Sequence, residues 1–390
     1  MPNRLTIAYL LLGLLAASAH AQTDSDATAS TLIEADAAEA GGIVVSGLFD
    51  FYALYQFNNP PAGTLLPGRL YYDTRHAQPT LALAELNVSQ APAPGGWGFK
   101  ATLIAGDIAD LNHGGGPVSD DEIGGTNTPE GRLKNLQQLY ASYQTAGGYT
   151  LDIGKFYTPI GFEVTEAPAN MNYSHSVPFN ILPFYHAGVR VTTPSRNGLT
   201  FAGYVVNALY NTARAGVNDN NDSKALIGQV VYAKGPLTLA NNLGWGKERL
   251  NGEDDQDSIF YDGWLTYAAS PATTLALNID YRKDDQEGGA PGVKHTGFAV
   301  YAKRVLNERQ YAVLRYSRLR SKTEPIGETS STTVTPWEVT ATFEHRFTPA
   351  FAARVELRHD GASDPSFVNG DGTATRESQD TLLVAGLYSF

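Results

Sequence analysis

Residues 351–359 place Phe351, Ala353, Val355 and Leu357 on one face of an extended chain and Arg354, Glu356 and Arg358 on the other. Successive strand side chains point to opposite sides. A soluble sandwich would have to bury one face, and three ionised groups are costly on an inner face. Turning the apolar face to lipid and the charged face to a watery interior removes the conflict. The pattern recurs. In 337–347, Trp337, Val339, Ala341 and Phe343 oppose Glu338, Thr340, Thr342, Glu344 and Arg346. In 275–282, Leu275, Leu277, Ile279 and Tyr281 oppose Asn278, Asp280 and Arg282. In 149–153, Tyr149, Leu151 and Ile153 oppose Thr150 and Asp152.

Repeated along the chain, the alternation predicts sixteen strands: 43–56, 80–91, 97–108, 133–145, 149–156, 185–194, 199–209, 224–234, 237–246, 258–269, 273–282, 294–305, 310–320, 336–347, 351–359 and 380–390. Every second connection is short and rich in turn formers, such as Pro94-Gly95-Gly96, Gly235-Pro236 and Thr348-Pro349-Ala350. The others are long, polar and acidic. This predicts an all-β fold, a transmembrane up-and-down antiparallel β-barrel with short periplasmic turns and long extracellular loops. The count of sixteen is bounded by about 14 and 18. Tyr and Trp near strand ends, among them Trp97, Tyr149, Trp245 and Tyr267, fit an interfacial girdle.

The first residues read differently. Arg4, an apolar stretch from Leu5 to Ala17, and Ala19-His20-Ala21 form a secretory signal with cleavage after Ala21; the alternative is an N-terminal anchor. Residues 22–42 are expected to form a flexible periplasmic tail, and 43–390 the barrel. No later apolar run reaches the roughly 18 residues of a spanning helix. The chain of 390 residues has no cysteine, which excludes disulfides and thiolate chemistry. Its net charge of -12 argues against a nucleic-acid partner.

Two stretches carry a resemblance. Leu151-Asp152-Ile153-Gly154-Lys155-Phe156 runs into Thr158-Pro159-Ile160-Gly161-Phe162-Glu163-Val164. Asn172-Tyr173-Ser174-His175-Ser176 and Pro183-Phe184-Tyr185-His186-Ala187-Gly188-Val189-Arg190 follow. With the segment from Asp219 to Lys224 and the Tyr388-Ser389-Phe390 terminus, these make 43–390 similar to the OmpL-like β-barrel porins (porin family 2). The resemblance implies a Gram-negative outer-membrane porin, a water-filled channel for passive diffusion of small hydrophilic solutes or ions. The last strand, with Leu382, Val384, Tyr388 and Phe390 on one face, resembles the closing strand read by the barrel-assembly machinery. Lipid, lipopolysaccharide and small solutes are the other implied partners, and a homotrimer is a common porin assembly.

The expected pore-lining residues are Asp152, Arg190, Asp280, Arg282, Arg315, Glu344, Arg346, Arg354, Glu356 and Arg358. Inward arginines would favour anions, unless carboxylates pair with them across strands. The connection 157–184 contains Pro159, Pro168, Pro178 and Pro183, which exclude a regular central strand. With Glu163 and Glu166 it is expected to fold inward as a constriction; an external lid or a subunit contact are the alternatives. Arg318 and Arg320 fall near the outer rim, within reach of lipopolysaccharide phosphates or simply solvated. Asp219 to Asp222 and Glu253 to Asp257 are rich in oxygen ligands but lack EF-hand spacing, so no metal and no cofactor is expected. Ser174 and Ser176 flank His175, but neighbours on a strand point apart, so a hydrolase is not expected. A closed structural or adhesive barrel is the competing reading.

Overall fold

No water reaches backbone groups inside a bilayer, so an extended chain there must satisfy its whole hydrogen-bond ladder within itself. Sixteen strands do so in the computed structural model: β1 (Ile43–Gln56), β2 (Pro79–Gln90), β3 (Trp97–Ala105), β4 (Leu136–Gln144), β5 (Thr150–Tyr157), β6 (Tyr185–Thr192), β7 (Leu199–Val206), β8 (Ala225–Lys234), β9 (Leu237–Glu248), β10 (Gln256–Ser270), β11 (Thr273–Asp284), β12 (Gly292–Asn307), β13 (Gln310–Glu324), β14 (Trp337–Arg346), β15 (Phe351–Gly361) and β16 (Ser378–Ser389). The structure describes residues 42–66, 70–114, 135–210, 221, 223–249, 255–288, 291–324 and 331–390. The expected signal peptide and, save for Gly42, the expected tail lie outside them.

Each strand pairs antiparallel with its sequence neighbours, and β1 also pairs with β16 in register from Leu48↔Ser389 to Gln56↔Thr381. That seam closes the barrel. It ends in a reciprocal pair: Gly47 N–H donates to the Phe390 carbonyl at 2.9 Å, and Phe390 N–H to the Gly47 carbonyl at 3.1 Å. A Cβ at Gly47 would meet the Phe390 ring at 2.4 Å and the Glu85 carbonyl oxygen at 2.7 Å, so a larger residue there would displace the terminal ring and press on the β2 backbone. Phe390 also packs on Phe49 (5.9 Å between centroids), and Trp97 on Tyr143 at the same end (5.0 Å). These rings supply part of the periplasmic girdle.

The outer surface is a continuous apolar band, exposing Phe51, Ile153, Phe201, Leu243, Val300 and Val355 among others. In water such a patch would drive association; lipid covers it here. The inner face is mixed. Thr102, Gln138, Asn242, Asn278 and Thr340 are buried polar residues. Leu83, Phe156, Val206, Phe260 and Leu383 form an apolar cluster with Leu66, Tyr72, Phe179 and Ile181 of the connections after β1 and β5.

Several strand boundaries differ from expectation by a few residues. β3 stops at Ala105, and Asp107–Gly114 turns into a helix with Asp107 and Asp110 in its first turn, where carboxylates favour the positive end of the helix dipole. β10 to β13 run longer than predicted, reaching 15, 12, 16 and 15 residues. Their outer ends stand beyond the apolar band, where both faces are polar and alternation no longer marks the strand.

Val355 lies mid-strand on the lipid face. Val355→Arg should destabilise the barrel by about 2–4 kcal/mol, measured by denaturant unfolding of protein refolded in phospholipid vesicles. A change below about 0.5 kcal/mol, the range of surface substitutions, would contradict that placement.

Candidate functional site

The chain between β5 and β6 cannot pair as a strand, since Pro159, Pro168, Pro178 and Pro183 remove donors. It forms two short 3-10 turns, Ala167–Ala169 and Val177–Ile181. Asn170 staples it internally, accepting from Val164 N–H at 2.9 Å and donating to the Val164 carbonyl at 2.7 Å. The segment crosses the barrel interior and meets the inner faces of β1, β10 and β12 to β15.

Three arginines on the far wall hold it. Arg315 of β13 donates to Glu163 at 2.9 Å, to Glu338 of β14 at 2.8 Å and to Ser174 Oγ at 3.1 Å. Arg354 of β15 donates to Glu344 at 2.8 Å and to the carbonyls of Ala167 (2.7 Å) and Asn172 (2.9 Å). Arg358 donates to Asp360 at 2.7 Å and to the His175 carbonyl at 2.6 Å. Glu356 accepts from the backbone N–H groups of Tyr173 (2.9 Å) and Ser174 (3.1 Å) and from the Thr342 hydroxyl (2.6 Å). Alternation therefore puts Arg354, Glu356 and Arg358 on one inner face, and the segment caps all three.

Further contacts fix its course. The Tyr173 hydroxyl donates to Asp50 of β1 at 2.8 Å. Phe162 packs between Trp264 of β10 and Tyr301 of β12, at 5.7 and 5.0 Å. Pro178 fills the space that a Cβ at Gly297 of β12 would occupy, 2.9 Å away. The connection after β1 braces the other side: Tyr71 and Tyr72 stack edge-on against Phe179, and the Tyr72 hydroxyl donates to Asn112 at 2.6 Å.

In this loop, burial pushes the Glu163 carboxyl up, but the Arg315 guanidinium, the neighbouring His175 and the hydrogen bonds from Ser176 together outweigh that and hold it below the ordinary glutamate range. His175 is fully enclosed, and burial lowers it, keeping the ring neutral near pH 7.

The whole described barrel, residues 42–390, matches the family model described as "Putative beta-barrel porin-2, OmpL-like". The chain belongs to this family. No curated protein matches it. Among solved structures it is similar to the anion-selective porin from Comamonas acidovorans (13% identity, TM-score 0.59, 90% of this chain and 100% of that one). It is also similar to Salmonella typhi OmpF (12%, TM-score 0.57, 90% and 98%). A third similar structure is the trimer form of OmpT, an outer membrane protein of Vibrio cholerae (9%, TM-score 0.56, 90% and 100%). At such identities the likeness is one of fold: a closed sixteen-stranded outer-membrane barrel.

Within this porin barrel the other expected residues divide into groups. Asp152 and Arg190 pair at 2.7 Å across β5 and β6, apart from the segment. Arg282 pairs with Asp284 at 2.9 Å and lies 3.6 Å over the Tyr210 ring. Asp280 is fully buried beside Asp262, its partner in register on β10. Arg346 ends β14 near the periplasmic rim, more than half exposed and 3.8 Å from Glu344. Glu166 accepts from the Tyr157 hydroxyl and lies against Glu85 of β2, so the two loop glutamates have different partners. Ser174 Oγ is bound by Arg315 and Arg358, while His175 Nε2 faces the Val164 carbonyl at 2.7 Å. Of the calcium candidates, Asp219, Asn220, Asp222, Glu253 and Asp254 lie outside the described residues, and Asp255 pairs with Arg249 at 2.9 Å.

Sequence reasoning left Glu338, Asp360, Asp262 and Asn242 off the site. Asp360 continues the beat of Arg354, Glu356 and Arg358, so alternation carried it to hand. Asp262 had weaker markings, because β10 puts Phe260 and Trp264 on the same inner face.

Removing Arg315 leaves Glu163 and Glu338 buried without their cation, a loss of about 3–5 kcal/mol. Arg315→Ala should expose 158–184 to amide exchange and protease in a barrel that still migrates as folded; unchanged protection would refute this anchoring. The Glu163 contribution has a definite pH sign. Its carboxyl sits low in the folded state, so the stabilisation is complete above the ordinary glutamate value, about 4.3, and is lost as pH falls through the lower folded value. Exchange protection of 158–184 should therefore drop in acid, and Glu163→Gln should flatten that response.

Proposed function

We propose that the barrel is a non-catalytic outer-membrane channel through which small hydrophilic solutes and ions diffuse, with 158–184 as its constriction. The observation that carries this reading is the segment itself. It runs from the β5–β6 wall to the β13–β15 wall, pinned by ion pairs and proline turns that would hold a fixed aperture. Membership of the porin family and a sixteen-stranded barrel, wide enough for a lumen, support it. The placement of Ser174 and His175 supports the absence of hydrolysis, because the serine faces arginines and the histidine a carbonyl.

The pore-lining set we propose is Asp152, Arg190, Asp280, Arg282, Arg315, Glu344, Arg346, Arg354, Glu356 and Arg358, with Glu163 and Glu166 on the constriction. Free inward arginines would favour anions. Here Arg190, Arg282, Arg315, Arg354 and Arg358 are each paired with a carboxylate. Arg315 is shared by two carboxylates, Glu163 and Glu338, and Glu356 accepts from the backbone N–H groups of Tyr173 and Ser174 and from the Thr342 hydroxyl. Where the segment meets the wall, the carboxylates Glu163, Glu338, Glu344, Glu356 and Asp360 outnumber the guanidinium groups of Arg315, Arg354 and Arg358, and the preference we propose is for cations, opposite to the arginine-based expectation. A homotrimer is the assembly we propose, supported by the trimer form of the Vibrio cholerae neighbour.

The competing reading, a closed structural barrel, draws on the depth at which Arg315 and Asp280 are buried. Planar-bilayer recording of the refolded protein separates the two. Discrete open steps are expected, with a reversal potential of cationic sign under a KCl gradient that moves toward zero in Glu163→Gln/Glu356→Gln. An anionic sign would overturn the selectivity, and silence from a folded barrel would leave the closed reading.

A further inference from the structure

Asn242 of β9, Asp262 of β10 and Asp280 of β11 occupy one rung of the ladder, each opposite the next in register. Their side chains share the inner face, and all three are buried. Like charges directly opposite one another are destabilising, yet here two carboxyl groups meet side by side. Asp262 is satisfied: Asn242 Nδ2 donates to it at 2.7 Å and Asn278 Nδ2 at 2.8 Å. Asp280 is not. Neither of its carboxyl oxygens has a hydrogen-bond donor, and the Oδ1 of Asn242 has none either. Among the described residues, no lysine or arginine forms a salt bridge with Asp262 or Asp280. Glu163 adds a further acid facing Asp280, and its own cation is Arg315.

Buried oxygens without donors call for a positive partner. A proton held between the two acids would serve one Asp280 oxygen and leave the other bare. A divalent cation cancels both carboxylates and takes oxygens from acids and amides alike. Oxygen donors throughout suit calcium or magnesium rather than zinc or copper. Magnesium dehydrates reluctantly and keeps several waters, and Asp280 is 0% exposed. Calcium accepts irregular sets of protein oxygens. The position gives such an ion a task. The Gly161 amide of the inward segment faces Asp262, and the next residue, Phe162, packs between Trp264 and Tyr301. An ion that draws β9, β10 and β11 together on this rung fixes the wall against which the segment starts its crossing.

We propose that Asp262, Asp280 and Asn242 form a calcium site in the barrel wall that seats the root of the 158–184 segment. The site does not rest on the channel reading and holds for an open or a closed barrel. It is tested on the refolded full chain in detergent, stripped with a chelator and titrated with terbium, which substitutes for calcium, and then with calcium as competitor. Trp264 lies two residues from Asp262 on the same inner face and should sensitise the bound ion. The parent should give tryptophan-excited terbium luminescence that calcium displaces. Asp262→Asn and Asp280→Asn should each bind calcium at least about 10-fold more weakly, about 1.4 kcal/mol. Trp264→Phe should lose the luminescence and keep its calcium affinity by calorimetry. Calcium should also slow amide exchange at 158–164 in the parent and not in Asp280→Asn. A folded parent without luminescence, luminescence that persists in Trp264→Phe, or equal calcium affinity of parent and Asp280→Asn overturns the site; exchange that ignores calcium overturns the seating role. If the parent ignores calcium and Asp280→Asn matches its thermal stability, the pair shares a proton instead, because an amide can donate to Asp262 as that proton would. Heat-modifiable migration on a gel verifies that each variant is a folded barrel.

Discussion

Everything in this molecule depends on one constraint: a strand in hydrocarbon has no water to take its backbone hydrogen bonds. The only escape for a sheet is closure, and closure depends on the last strand finding the first. β16 reaches β1 over nine register positions, and the seam is finished by the Gly47–Phe390 pair. Phe390 is therefore more than an aromatic at the rim. Its backbone completes the ladder, and its ring covers a glycine that has no side chain to keep it away.

Once the cylinder is closed, its interior poses the opposite problem. Three arginines on β13 and β15 point inward and need acceptors. Cross-strand carboxylates meet part of that need, and the carbonyls of Ala167, Asn172, Ser174 and His175 meet the rest. Wall and segment thus complete one another: the arginines gain acceptors, and a proline-rich loop without a ladder of its own gains fixed anchors. A buried ion pair is weak evidence for net stability, but here it specifies position. Glu163 and Arg315 choose where the segment crosses, and the Gly297–Pro178 contact leaves no room for it to sit closer.

The charge distribution follows the same division of environments. Inside, Arg190, Arg282, Arg315, Arg354 and Arg358 each have a carboxylate nearby. Outside, where lipid tails give way to headgroups, Lys283, Lys294, Arg318, Arg320 and Lys322 gather on three neighbouring strands. A net charge of -12 conceals both arrangements, because it sums over surfaces that face different media.

The alternation at 351–359 and 337–347 sufficed to assign strands and inner faces, because lipid on one side and polar surroundings on the other enforce a period of two on every spanning residue. The spacing of turns gave the strand number for the same reason, as each crossing needs a nearly constant length. Where the medium is alike on both faces the signal vanished, as at the outer ends of β10 to β13 and in the helix after β3. The partnership of Glu163 with Arg315, 152 residues apart, has no local signature at all. Neither has the apolar cluster that Leu83, Phe260 and Leu383 make with the connections after β1 and β5. By itself the sequence determined the barrel and which way each side chain faces, since those follow from the solvent next to each residue. Only the tertiary structure decided which inward charges meet, where the segment crosses and which side of the barrel is basic, since those depend on closing the cylinder and bringing distant strands around one interior.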